Sequence, residues 1–259
     1  MDERSESARR RIVEVVYRIM MSGATVNSAL DLPDVFPDFK KHVFESHVSG
    51  RSVAVDLLSQ MTEGGLKEEM LTGIAKVLAE QAATNAETVI SAAVIVLAHS
   101  TVDDAFTAAC EVAIDLDETS WRGELNRTRK VELGEVIDLG MDGLLVRELE
   151  QFKKKLGAKS LPSRAELLFR HVPIRKHKEI GPEENAYYRG SKMEEADKLR
   201  HEIVHGSRLP PLSIEKSKAM SSFLFEAAHT AFRSIAFKFN LPFDMEHFQE
   251  VAGVKKPEG

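Results

Sequence analysis

Residues 85–115 constrain the fold more than any other stretch. Val89, Ala93, Leu97, Val102, Phe106 and Ala109 recur at or near every fourth position, and Ile90, Val94, Ala105 and Val112 follow a similar rhythm. Apolar side chains at that spacing share faces of an α-helix, whereas a half-buried strand needs strict alternation. The stretch therefore predicts one long helix, kinked at most near Ser100-Thr101. The alternative is two helices, with Thr101 and Asp104 forming a capping box at the start of the second. Alternating patterns are nearly absent elsewhere, and good helix formers are common. The chain is expected to be all-α, a helical bundle.

The other helices follow from periodicity and punctuation. Residues 5–22 carry Ile12, Val13, Val16, Ile19 and Met20 at helical spacing and are expected to end at Gly23. Residues 27–64 are ambiguous, broken by Pro33, Pro37 and Gly64-Gly65. Residues 68–81 predict a helix, and 117–129 a polar loop around the single tryptophan, Trp121. Residues 130–156 predict a helix whose buried stripe is Leu133, Ile137, Met141, Leu144, Leu145 and Leu149. Its basic end, Lys153-Lys154-Lys155, suits a helix C-terminus, and Gly157 stops it. A short helix is expected near 164–170 and another over 193–205. Ser213 caps a last long helix with Met220, Leu224, Ala227, Ala228, Ala231, Ile235 and Phe239 as its core stripe. These elements suggest an N-terminal helical extension over 1–75, a helical domain over 76–245 and a disordered tail over 246–259.

Composition bounds the function. The net charge is −6, so any polyanion must be met by a local basic patch rather than by the overall field. The one cysteine, Cys110, rules out a disulfide framework within the chain and sits in an apolar run, as a small buried hydrophobe does. The charged start and the shortness of the apolar run 89–98 point to a cytoplasmic protein with no membrane partner. No dinucleotide-binding fingerprint or phosphate loop occurs.

Chemistry is densest in Asp197-Lys198-Leu199-Arg200-His201-Glu202-Ile203-Val204-His205-Gly206. His201-Glu202-x-x-His205 has zinc-hydrolase spacing, which puts two imidazoles on one helix face with a carboxylate between them. A catalytic zinc needs a third protein ligand, for which Glu226 is the best placed in sequence. Against that reading, Lys198 and Arg200 precede the first histidine, and the helix stops directly after the second. The basic run Arg175, Lys176, His177 and Lys178 reads as a solvated loop or as a cradle for phosphates. His99, Asp103 and Asp104 are polar insertions in an apolar helix. They fit a cap, a solvated face or a supporting site role.

Arg200-x4-His205, with polar His201 after the arginine, apolar Ile203-Val204 inside and Gly206 following, resembles the signature of the HEPN superfamily. That signature is an arginine, a polar residue, three more residues and a histidine. The resemblance covers about residues 80–240, with the apolar helix holding Asp103 and the long C-terminal helix as its other landmarks. It implies a HEPN-like bundle acting as an endoribonuclease that uses no metal and no cofactor. Arg200 and His205 would be catalytic, and His201 would be a second acid/base or positioning group. Asp103 would support the site, and Arg175, Lys176 and Lys178 would hold RNA. It further implies a homodimer with the motif at its interface, and a role in defence or in a toxin–antitoxin system with an antitoxin as partner. Two alternatives stay open: a non-catalytic binding or dimerisation module of the same kind, and a zinc hydrolase.

Overall fold

The computed structural model describes residues 2–35, 68–125, 132–174, 190–242 and 245–253. Every regular element among them is helical: α1 (Glu3–Val35), α2 (Glu68–Leu116), α3 (Glu118–Trp121) with a following 3-10 turn, α4 (Leu133–Leu156), α5 (Leu161–His171), α6 (Gly190–His205), α7 (Ile214–Lys238) and α8 (Met245–Val251). The all-α expectation holds.

The axis of the bundle is α2, whose 49 residues span about 70 Å at helical rise. It runs unbroken through Ser100 and Thr101, and through the boundary expected near residues 81–85. There is no capping box at Thr101, because both apolar faces stay covered past that point and nothing there removes a backbone donor. On one side it packs against α1 and α7, which also pack on each other; on the other it meets α5 and α6. One core joins these elements through Ile12, Ile19, Leu30, Phe106, Ile114, Leu168, Leu224 and Ile235. An 18-residue window within Thr84–Leu116 is long and apolar enough, by length and composition, to cross a membrane, and half of that window is buried inside the bundle. The apolar segment is therefore longer than the run 89–98 suggests.

Glycine is not a stop in α1. The helix passes through Gly23 to Val35, and a Cβ at Gly23 would meet the Phe225 ring of α7 at 3.8 Å. That is ordinary van der Waals contact, so Gly23 lies at a helix–helix contact and not in a turn. The start of α4 departs further from expectation. Leu144 and Leu149 are buried, but Leu133, Ile137 and Met141 are 74%, 73% and 74% exposed. Gly140 explains the difference: its φ of 65° and ψ of 174° break the helical phase between the two halves. A stripe projected across that break no longer points one way.

Caps follow the sequence elsewhere. Ser160 accepts from Ser163 N and opens α5, with Pro162 in its first turn. Ser213 accepts from Lys216 N and opens α7. The polar segment after α2 is not a plain loop. Asp117 caps α3, and this turn drives Trp121 into the core, fully buried, 6.3 Å from the Phe152 ring and stacked on His171 at 4.3 Å. Cys110 is buried, its thiol pushed up to about 12 by desolvation, as an inert core residue should be. The tail is helical over Met245–Val251, where Phe248 meets Tyr17 of α1 edge-on at 5.9 Å. Residues 254–259 lie outside the described residues.

Candidate functional site

The motif forms the last turns of α6. Met193, Ala196 and Leu199 are its buried stripe, and Leu199 joins Ala92, Ile95 and Leu212 in a small apolar cluster with Ile203. His99 of α2 meets Asp197 of α6, so the two helices run antiparallel, with the motif beside the first half of the apolar segment. At the end of the helix the Gly206 N–H donates to the Glu202 carbonyl at 2.8 Å. A Cβ at Gly206 would run into that same oxygen, so this helix end requires glycine.

The exposed face of α6 carries His201 and His205, whose ring centroids are 4.7 Å apart and tilted by 47°. With Asp197, Lys198, Glu202 and Gly206 they line an open groove of about 430 Å³. Arg200 does not line it. Arg200 and His205 are five positions apart, which places them about 140° apart around the helix and about 7.5 Å apart along it. Arg200 instead sits half-buried on the flank toward α2, close enough to His99 for its charge to bear on that imidazole. The structure thus brings His201 and His205 together and leaves Arg200 on a neighbouring face.

Beneath the groove lies a network that sequence reading did not assemble. His99 is buried, and its Nε2 is 3.1 Å from Asp197 Oδ1. Desolvation draws the His99 pKa below its ordinary value, against the pull of Asp197; the charges of Arg200 and Arg164 push it the same way as burial. The neutral ring then donates its Nε2–H to the carboxylate. Asp103, one helical turn along α2, pairs with Arg164 of α5, a residue only 1% exposed. Arg164 Nη1 donates to the Leu156 carbonyl at 3.2 Å. His99 was legible only as a polar insertion, because its partner lies 98 residues away.

The other sites named from sequence fare differently. Arg175, Lys176 and Lys178 fall outside the described residues. His171 is taken up by stacking on Trp121 and by Glu124, 3.0 Å from its Nε2. No three His, Cys, Asp or Glu side chains converge as a metal would need among the described residues. Glu226 is exposed on α7 and does not line the groove that holds His201 and His205. Among the described residues the donor set does not fit a catalytic zinc.

The buried imidazole makes a pH prediction. An unfolded His99 takes up a proton near pH 6.5, while the folded one, with its lowered pKa, resists until lower pH. His99 therefore contributes stability above pH 6.5 that is lost as pH falls from there through its folded pKa. His229, also lowered mainly by burial, adds to the same slope. Denaturant midpoints measured from pH 7.5 to 4.5 are expected to fall less steeply in His99→Gln, which keeps a donor for Asp197. An identical slope would mean that His99 takes up its proton over the same pH range folded and unfolded.

No family model, no curated protein and no solved structure matches the chain.

Proposed function

We propose that the chain is a HEPN-like, metal-independent endoribonuclease whose active site is completed by a second copy of itself. The observation that carries this reading is the solvent-open pair of His201 and His205 on a helix end, with Arg200 one face away. Imidazole exchanges protons near neutral pH, and a guanidinium meets the charge that builds on phosphate oxygens. The reaction is transesterification. One imidazole removes the proton of a ribose 2′-OH as that oxygen attacks the adjacent phosphorus. The 5′-oxygen leaves and takes a proton from a second imidazole, giving a 2′,3′-cyclic phosphate and a free 5′-OH.

Geometry argues for two copies. Attacking and leaving oxygens sit on opposite sides of the phosphorus, and two rings 4.7 Å apart on one helix leave no room for a phosphate between them. Apposed motifs would set one histidine pair on each side and bring the Arg200 of each copy toward the shared groove. The exposed Val89 and Leu97 of α2, with Val204 and Leu209 beside the motif, supply apolar surface for such a contact. Non-catalytic binding would use the same groove without cleavage, so product chemistry decides between the two.

The test is cleavage of a mixed RNA pool, with end-group analysis and a dilution series followed by light scattering. Cyclic phosphate ends are expected, with specific activity falling as the dimer dissociates. A folded monomer that keeps full specific activity would remove the composite site. Absence of cleavage at every dimer concentration would leave the binding module.

A further inference from the structure

A second cavity, of about 320 Å³, opens between α1 and α2 and shares no residue with the motif groove. Its walls are Val15, Ile19 and Ala105, with Met21 and Tyr17 at one side. Around them stand Arg18, Ser22, Thr101 and Asp104. What sets these four apart is that their neighbours have partners among the described residues and they do not. On α1, Arg4 pairs with Glu118, Arg9 and Arg10 with Glu6, and Arg11 with Glu111, whereas Arg18 has no partner among the described residues. On α2, Asp103 pairs with Arg164, whereas Asp104 has no partner among the described residues. Thr25 and Thr107 turn their hydroxyls back onto the carbonyls of Met21 and Asp103, the usual way for a helix to satisfy a threonine. Ser22 and Thr101 make no such bond.

A cation and an anion line one cavity and yet do not meet. Surface charges of opposite sign that can reach each other gain by pairing, if only modestly. Here both line the cavity, one from α1 and the other from α2. A group that fills it while presenting an anion to Arg18 and a cation to Asp104 answers both charges at once. The free hydroxyls offer further hydrogen bonds, and the apolar walls suit a short hydrocarbon. An arginine fork recognises a carboxylate in particular. We infer that this cavity binds a small zwitterion, a free amino acid with an apolar side chain, its carboxylate on Arg18 and its ammonium on Asp104.

The inference is independent of the ribonuclease reading, and its test does not use RNA. Isothermal titration of the full chain with L-leucine and L-methionine is expected to show saturable binding with one site per chain. The carboxylate alone (4-methylpentanoate) and the amine alone (3-methylbutylamine) are each expected to bind about tenfold more weakly or worse, since each leaves one wall charge unanswered. Arg18→Ala and Asp104→Asn are each expected to weaken L-leucine by a similar factor. Both residues are exposed, so each variant should fold, and circular dichroism checks that it does. Binding of L-leucine that is unchanged in both variants, or no saturable binding of either amino acid, overturns the assignment. Equal binding of the amine or the acid alone also overturns it, because the site would then read one charge and not two.

Discussion

Arg200→Ala and His205→Ala are each expected to cut RNA cleavage by about a hundredfold or more, while Glu202→Gln leaves it within about twofold. The first figure follows from the loss of a proton-transfer group or of a positioned donor to the phosphate oxygens. The second follows from place. Glu202 lines the groove but is displaced from both histidines around the helix, where it accepts no proton in the proposed reaction. A zinc hydrolase predicts the reverse, since there Glu202 activates the metal-bound water and Arg200 has no part. A chelator separates the two once more: it strips a zinc enzyme and leaves acid–base cleavage intact. Single-turnover rates on a cleavable RNA, with and without chelator, give all of these numbers. One equivalent of zinc per chain together with an inactive Glu202→Gln would sink the assignment to the HEPN-like reaction.

The helices were legible where a local cause fixes them. Ser213 and Ser160 cap because their hydroxyls reach a backbone N–H three residues on, and Gly206 ends α6 where a Cβ would meet the Glu202 carbonyl. The stripe of α7 was legible because one phase runs through it from Met220 to Ile235. What stayed hidden depended on partners far along the chain. Gly23 reads as a stop until the helix is seen to continue through it beside Phe225 of α7. Trp121 has no role until the α3 turn carries it onto Phe152 and His171. The stripe of α4 fails at Gly140, where a backbone conformation that sequence periodicity cannot register resets the phase. At the motif, sequence placed His201 and His205 on one face correctly. It could not show that Asp197, between the histidines and the core, is held from behind by His99.

Asp103→Asn is expected to destabilise the fold by about 3 kcal/mol without a matching loss of activity per folded molecule. The residue looks from sequence like an acid supporting the catalytic site, but its carboxylate pairs with Arg164 of α5. The two partners are unequal. The Arg164 side chain is 2% exposed, whereas that of Asp103 is 33% exposed. Neutralising the acid leaves a buried guanidinium without its ion-pair partner and with only the charge of Asp197 nearby, and breaking a buried pair by removing one partner typically costs about 3–5 kcal/mol. Partial hydration of the Asp103 side places the loss at the lower end. The opposite change, Arg164→Met, leaves a carboxylate that water can reach and a Leu156 carbonyl that still accepts from Lys159 N–H at 3.0 Å, and should cost only about 1 kcal/mol. The order of the two effects carries the argument, since a symmetric surface pair would give two small and similar numbers. Urea unfolding of the two single variants and of Asp103→Asn with Arg164→Met measures both the order and the coupling. The double variant should recover much of what Asp103→Asn loses, because it no longer buries an unpaired charge. If Asp103→Asn is as stable as the parent chain and yet fails to cleave RNA, the carboxylate serves the groove and not Arg164.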